Sequence, residues 1–307
     1  MKIILSNFNS KLKMKNNKSN LFSKILLSSL IFGISNFVIS EKAYATIETD
    51  RTACPATGTV AELEHPAADE QPDCFITPKK VEIKFYEMGF CKTDPYDSEQ
   101  NFDPQKCKKA WSNIDGDSAD LAVFVAKGLF GETVRLENGS YNYAYMIIDN
   151  EWTLNGSYKT TLNGGTTYYT NNEDQGSGYI EDVTTDEAKY SDLVIETKYV
   201  SGDANCGEVN FGTGDDGQSV RATLVNDDLI KVKGLGAGTC GSTQGGNPTK
   251  MIGVVGLATP VIMTDAITSY RMDWKIKNLG LGIEVKHDTN QPGWWTVGPV
   301  VPIFTLK

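Results

Sequence analysis

Four oxygen-bearing side chains crowd one short stretch. In NIDGDSAD, Asn113, Asp115, Asp117 and Asp120 surround Gly116. Hard cations take several oxygen ligands from a tight, flexible loop, so these residues are a candidate calcium site, and calcium is the one cofactor suggested. GTGDDGQ adds Asp215 and Asp216 on a second glycine-bearing turn. The spacing departs from the EF-hand loop, in which Gly follows the third acid and a Glu closes the site. An ordinary Asp-Gly turn has the same composition.

Aromatic rings are a second candidate chemistry. Tyr141, Tyr143 and Tyr145 alternate along SYNYAYMII and, with Ile147, are expected on one face of a strand. Trp294 and Trp295 follow a Gln-Pro-Gly turn, and strand alternation sends one of the two outward. Exposed rings stack on sugars or insert into partners, which makes these five residues the candidate ligand-binding set, with a glycan as ligand. A stripe of this kind serves equally as core.

Nucleophilic catalysis has little to work with. Only two histidines occur, His65 in LEHPAADE and His287 in the turn VKHDTNQPG. A serine triad needs a histidine beside a nucleophile and an acid, and no Gly-x-Ser-x-Gly is present. A cysteine nucleophile would break an even cysteine count. A phosphate-cradling loop must open a helix, and no segment has a 3.6-residue period of helix length. Paired carboxylates hydrolyse glycans, and Glu82 and Asp273 stand on polar strand faces where such acids would sit. The expectation is a chain that is not an enzyme, with a carboxylate-based hydrolase as a lesser alternative.

The elements that must position these residues are strands. KKVEIKFYEM sets Val81, Ile83 and Phe85 against Glu82, Lys84 and Tyr86. YRMDWKIK alternates in the same way from Tyr270, and the beat shifts by one after Asn278, as a bulge or tight bend would require. Asn163-Gly164-Gly165, flanked by Thr and Tyr, signals a hairpin. QSVRATLVNDDLIKVKG reads as two strands joined at Asn226-Asp227. Pro299 and Pro302 remove backbone donors from the last strand and demote it to an edge. The echo of Asn-Gly-Ser-Tyr at Asn138 and Asn155 reads as two turns of one chemistry, or as two glycan acceptors.

Residues 1–45 read as a secretory signal peptide: a lysine-rich leader, the apolar run Ile25 to Ser40, and Ala43-Tyr44-Ala45 as the small-x-small cleavage pattern. The apolar run is short for a spanning helix, which needs about 20 apolar residues, so no integral membrane segment is expected after cleavage. Residues 46–78 read as an extended N-terminal segment and 79–307 as the β body. The first 45 residues hold seven of the 29 basic and one of the 39 acidic residues, which leaves 22 and 38, a net charge near −16. Such a surface repels nucleic acid and anionic lipid. All six cysteines, Cys54, Cys74, Cys91, Cys107, Cys206 and Cys240, fall after the leader. An even count in an exported chain implies disulfides, and pairing of neighbours is expected because each pair brackets a loop-like stretch. Zinc is not expected, since no Cys-x-x-Cys occurs. The fold class expected is all-β: an antiparallel β-sandwich with a disulfide-bonded N-terminal segment.

The order of parts is a secretory signal, an extended segment, then an all-β body with phrases such as RLENGSYNYAYMIIDN. It resembles the exported β-sandwich subunits of surface fibres, the TasA/camelysin group and comparable archaeal pili. The resemblance implies a jelly-roll-like fold and a structural role at the cell surface as a self-assembling fibre or coat subunit. Copies would join by lending the N-terminal segment, Thr46 to Val60, to an open sheet edge of the next copy, with the Pro-bearing C-terminal strand at or guarding that edge. An extracellular carbohydrate-binding module is the alternative. The expected partner is therefore a second copy or a surface glycan.

The exported product is expected to contain no free thiol. Thiol titration in denaturant should read zero before reduction, and losing one pair should lower stability by about 3 kcal/mol in urea unfolding.

Overall fold

The computed structural model describes residues 2–5, 42–44, 53–54, 74–98, 101–122, 126–159, 165–172, 183–196, 208–213, 219–232, 248–286, 291–298, 300 and 301–306. Among them there is no α-helix, in line with the missing helical period, and no helix long and apolar enough to cross a membrane.

The largest sheet has eight strands. In spatial order they are β13 (Glu208–Thr213), β14 (Ser219–Val225), β15 (Lys250–Met263), β8 (Gly139–Asn155), β4 (Lys80–Cys91), β5 (Cys107–Asp120) and β7 (Glu132–Thr133), with β12 (Leu193–Glu196) also paired to β8. Every ladder in it is antiparallel. A five-stranded sheet runs β2 (Lys42–Tyr44), β19 (Val301–Leu306), β16 (Tyr270–Lys275), β1 (Lys2–Leu5) and β6 (Ala126–Lys127). Two three-stranded sheets complete the set: β18 (Gln291–Val297), β17 (Leu281–Lys286), β3 (Cys74–Ile76); and β11 (Val183–Thr184), β10 (Thr167–Thr170), β9 (Ser157–Lys159). The hairpin expected around Asn163 is the β9–β10 pair, with Tyr158 opposite Tyr168.

Both faces of the large sheet are covered. On one face Val81, Ile83 and Phe85 of β4 are buried. The Phe85 ring meets Trp274 of β16 at 5.9 Å, and Phe90 meets Tyr270 at 5.9 Å and Phe304 of β19 at 5.5 Å. Each buried large side chain contributes roughly 1.5–3 kcal/mol. The other face lies under the loop closed by Cys91 and Cys107. That loop lays Phe102 on Tyr145 at 5.2 Å, and Tyr96 on Phe102 at 6.2 Å. Thr223 Oγ1 donates to the Tyr96 hydroxyl, and the Arg221 guanidinium, bonded to Asp94 at 2.6 Å, stands 4.6 Å over the Tyr96 ring. Residues Ala222 to Val225 are therefore all buried, where alternation alone would bury every second one.

Two expectations of the strand pattern resolve differently. Tyr141, Tyr143, Tyr145 and Ile147 do not share a face. Gly256 of β15 stands opposite Tyr143 and Val261 opposite Tyr141, so residues 257–260 are an insertion facing Asn142 alone. Such a bulge rotates the ladder. Tyr141 turns into the main core against Phe90, while Tyr145 and Ile147 face the disulfide loop. The shift at Asn278 does occur, as a corner between sheets. Asn278 has φ +56°, and the N–H groups of Leu279 and Gly280 both donate to Ile276 C=O. Asn tolerates that left-handed conformation. The chain leaves β16 with Tyr270, Met272 and Trp274 inward and enters β17 with Leu281 and Ile283 inward.

Cys54–Cys74 and Cys91–Cys107 form as neighbour pairs; Cys206 and Cys240 lie outside the described residues. Two disulfides fit an oxidising, non-cytoplasmic compartment. Most of the segment 46–78 also lies outside the described residues, whereas two stretches read as leader, residues 2–5 and 42–44, form β1 and β2.

Gly89 lies where β4 passes between β5 and β8. A Cβ there would come 2.3 Å from Lys108 O and 2.5 Å from the Tyr145 ring. Backbone oxygen cannot step aside, so Gly89→Ala is expected to cost about 1–3 kcal/mol, read as a lower urea midpoint at unchanged m-value.

Candidate functional site

The candidate calcium residues sit in β5, whose ladder breaks at their position. Ser112 pairs with Glu87 and Asp117 with Phe85, so Asn113 to Gly116 stand opposite Tyr86 alone. Gly116, at φ +72°, makes the bend. Three of the four side chains already have internal partners. Asn113 Oδ1 accepts from Asp115 N–H, and its Nδ2 donates to Phe130 C=O. Asp117 accepts from Phe130 N–H at 2.8 Å and pairs with Lys127 at 3.1 Å. Asp120 Oδ1 accepts from the N–H groups of Val81 and Ala122. Among the described residues no three His, Cys, Asp or Glu side chains gather as a metal site would require. Asp215 and Asp216 lie outside the described residues.

The aromatic set is placed mainly in the interior. Tyr141, Tyr145 and Trp295 are 0 %, 2 % and 2 % exposed, and rings so buried offer no face to a sugar. Trp295 takes the inward position of its pair and donates its indole N–H to Tyr169 C=O at 3.2 Å. Tyr143 is half-buried, and the side chain of Trp294 lies outside the described residues. Asn138 and Asn155, the alternative glycan acceptors, are both held by hydrogen bonds, Asn138 to Arg135 and Asp265 and Asn155 to Asp192 and Tyr190.

The two named acids lie in different sheets, each with its own cation. Glu82 is 3.4 Å from Lys80, and Asp273 is 3.0 Å from Arg271. His65 and His287 lie outside the described residues. Glu87 belongs to a tighter arrangement. Tyr145 Oη donates to Glu87 Oε1 at 2.6 Å, and Lys109 reaches Oε2 at 2.8 Å. Burial, then the charge of Glu87 and the bond donated to it, push the Tyr145 hydroxyl far above its ordinary 10.0. Burial and Asp149 push Tyr86 the same way.

What strand patterns alone did not reveal is which edges are held by which partners. β16 is bounded by β19 on one side and by β1 on the other. β1 runs antiparallel to β16, with Lys2 opposite Asp273 and Leu5 opposite Tyr270, and parallel to β6, with Lys2 opposite Ala126. β19 is bounded on its far side by β2, with Tyr44 opposite Ile303 and Lys42 opposite Thr305. The partners that cover β16 and β19 thus both come from the first 45 residues. The Pro-bearing strand β19, expected as an edge, is paired on both sides, to β16 and to β2; β2 spans three residues and reaches Ile303 to Thr305 alone. A second feature marks the β5 edge: Ile114 in the bulge is 93 % exposed, and Phe130 beside it is 76 % exposed.

The chain matches no protein-family model, no curated protein and no solved structure.

The raised tyrosines set an alkaline limit on stability. The folded protein keeps protons that the unfolded chain releases near pH 10, so stability present below that pH falls as pH rises beyond it. Tyr145→Phe should lose about 1–2 kcal/mol at pH 7, through the bond to Glu87, and show a shallower decline between pH 9.5 and 11. Urea midpoints across that range measure both effects.

Proposed function

We propose that this chain is an exported structural protein that joins to copies of itself at the cell surface by strand addition. One observation carries the reading. The outer neighbours of β16 and β19 are drawn from the segment that reads as a signal peptide, so processing after Ala45 leaves both strands with an open side. Open edges with unpaired N–H and C=O groups are templates for another strand. The reading is supported by the neighbour disulfides, which brace a secreted chain, and by the strongly acidic residues 46–307, which disfavour nucleic acid and anionic membrane as partners. It is also supported by the interior placement of Tyr141, Tyr145 and Trp295, which turns those rings from binding to packing.

The processed chain is expected to form oligomers or filaments whose mass rises with concentration in light scattering and negative-stain microscopy. A version beginning at Ala53 should remain monomeric. Monodisperse single particles of the processed chain at every concentration would reject the proposal.

A further inference from the structure

We propose that Ile114, Phe130 and Val134 form the apolar flank of the contact between copies, and that a second copy of this chain covers them. The inference rests on the strand-addition reading and names side chains of that contact which lie beside the open edge.

Five large hydrophobic side chains stand exposed among the described residues: Ile114, Phe130, Val134, Ile230 and Ile262. Apolar residues scattered singly over a surface are ordinary. Three of these five gather on one rim. Ile114, 93 % exposed, lies in the bulge of β5. Phe130, 76 % exposed, and Val134, 40 % exposed, belong to the segment 127–136, which lines the same edge of β5.

That segment is strapped to the body along its length. Lys127 Nζ donates to Asp117 Oδ1 at 3.1 Å and to Ser118 C=O. Both ends of the bulge hold the Phe130 backbone: Asn113 Nδ2 donates to its C=O at 2.9 Å, and its N–H donates to Asp117 Oδ2 at 2.8 Å. Gly131 lies on the buried Trp111, where a Cβ would come 2.6 Å from the indole Nε1. Glu132 and Thr133 pair with Ser112 and Trp111, and Val134 N–H donates to Ala110 C=O at 2.8 Å. The exposure of Ile114 and Phe130 is therefore built on a fixed backbone, which has no freedom to fold them inward.

The strap ends at the assembly edge. Leu136 N–H donates at 3.0 Å to the hydroxyl of Tyr270, the first residue of β16. This tie and those to β5 involve no residue of the leader. A strand added along β16 meets only six residues of backbone, whereas a stable interface buries more than about 1,000 Å². Side chains beside the edge must supply the remaining area, and this rim presents them. Other occupants fit less well. Sugars stack on flat rings, and two of the three side chains are branched aliphatics. A lipid interior would have to desolvate Asp115 and Glu132, which are exposed beside the apolar group, while a protein interface leaves such carboxylates at its wet rim.

The test uses the exported, oxidised chain with its disulfides intact. Light scattering follows mass against concentration for the wild type, for the double variant Ile114→Ser/Phe130→Ser, and for Ile262→Ser. Ile262 is a control on β15, separated from β5 by β8 and β4. The three should share one urea midpoint, since the replaced side chains are exposed; if the double variant falls below it, Ile114→Ser alone takes its place. The double variant should need at least about tenfold more protein to reach half-maximal assembly, and Ile262→Ser less than about twofold more. Amide exchange in segments 113–116 and 128–131 should slow as the wild type assembles. Assembly of the double variant at wild-type concentrations, or assembly that leaves both segments exchanging at the monomer rate, would overturn the flank while strand addition stands. A wild type that stays monomeric, with exchange in these segments slowed by phosphatidylcholine vesicles, would make lipid the occupant and overturn the proposal. A monomer unaffected by vesicles would remove the strand-addition reading and the flank with it.

Discussion

The constraint on which the structure depends is that the eight-stranded sheet buries both of its faces. One face rests on β16 and β19 through Phe85, Phe90, Trp274, Tyr270 and Phe304. The other lies beneath a loop that a disulfide closes, with Phe102 pressed on Tyr145 and Tyr96 on Phe102. A sheet covered on one side can give its outward row to solvent or to a ligand. A sheet covered on both sides has no outward row over the covered span, and its large side chains must pack. This is why Tyr141 and Tyr145, read as part of a binding face, serve as core.

The same constraint moves any contact function to the rims. Backbone groups at the centre of the sheet are paired on both sides, and those of an edge strand are paired on one. β16 and β19 form a two-stranded unit whose inner face is committed to the core and whose flanks, among the described residues, are closed by short strands from the first 45 residues. The bulge in β5 interrupts another rim and pushes Ile114 outward, while Asp117 and Asn113 tie that bulge to the segment around Phe130. Oxygen ligands that look collected for a cation in one dimension are distributed in three dimensions among turns, a lysine and backbone N–H groups.

Much of the architecture was legible from local pattern. Alternation located β16 and the first half of β4, to Phe85, because there the period of two is intact; from Met88 to Cys91 every residue of β4 is buried. Asn278 was legible as a break because a shift of beat needs a corner, and its left-handed φ supplies one. The neighbour pairing of Cys54 with Cys74 and of Cys91 with Cys107 followed from short loops with unpatterned polar sequence between them. The tyrosine row failed because the feature that breaks it lies in another strand. Four residues of β15 stand against Asn142 alone and turn the ladder there, and nothing near Tyr141 announces a partner more than a hundred residues away.

By itself the sequence determined that this chain builds antiparallel strands, closes two local disulfide loops and carries a strong negative net charge over residues 46–307. Those properties depend on side-chain period, on short spacing between cysteines and on a sum of charges, none of which needs a distant contact. Only the tertiary structure decided which faces are covered, that three of the five candidate ligand-binding rings are core, and which strands are flanked by pieces of the first 45 residues. Such outcomes depend on the register between strands far apart in the chain, and register is a property of pairs that no single segment contains.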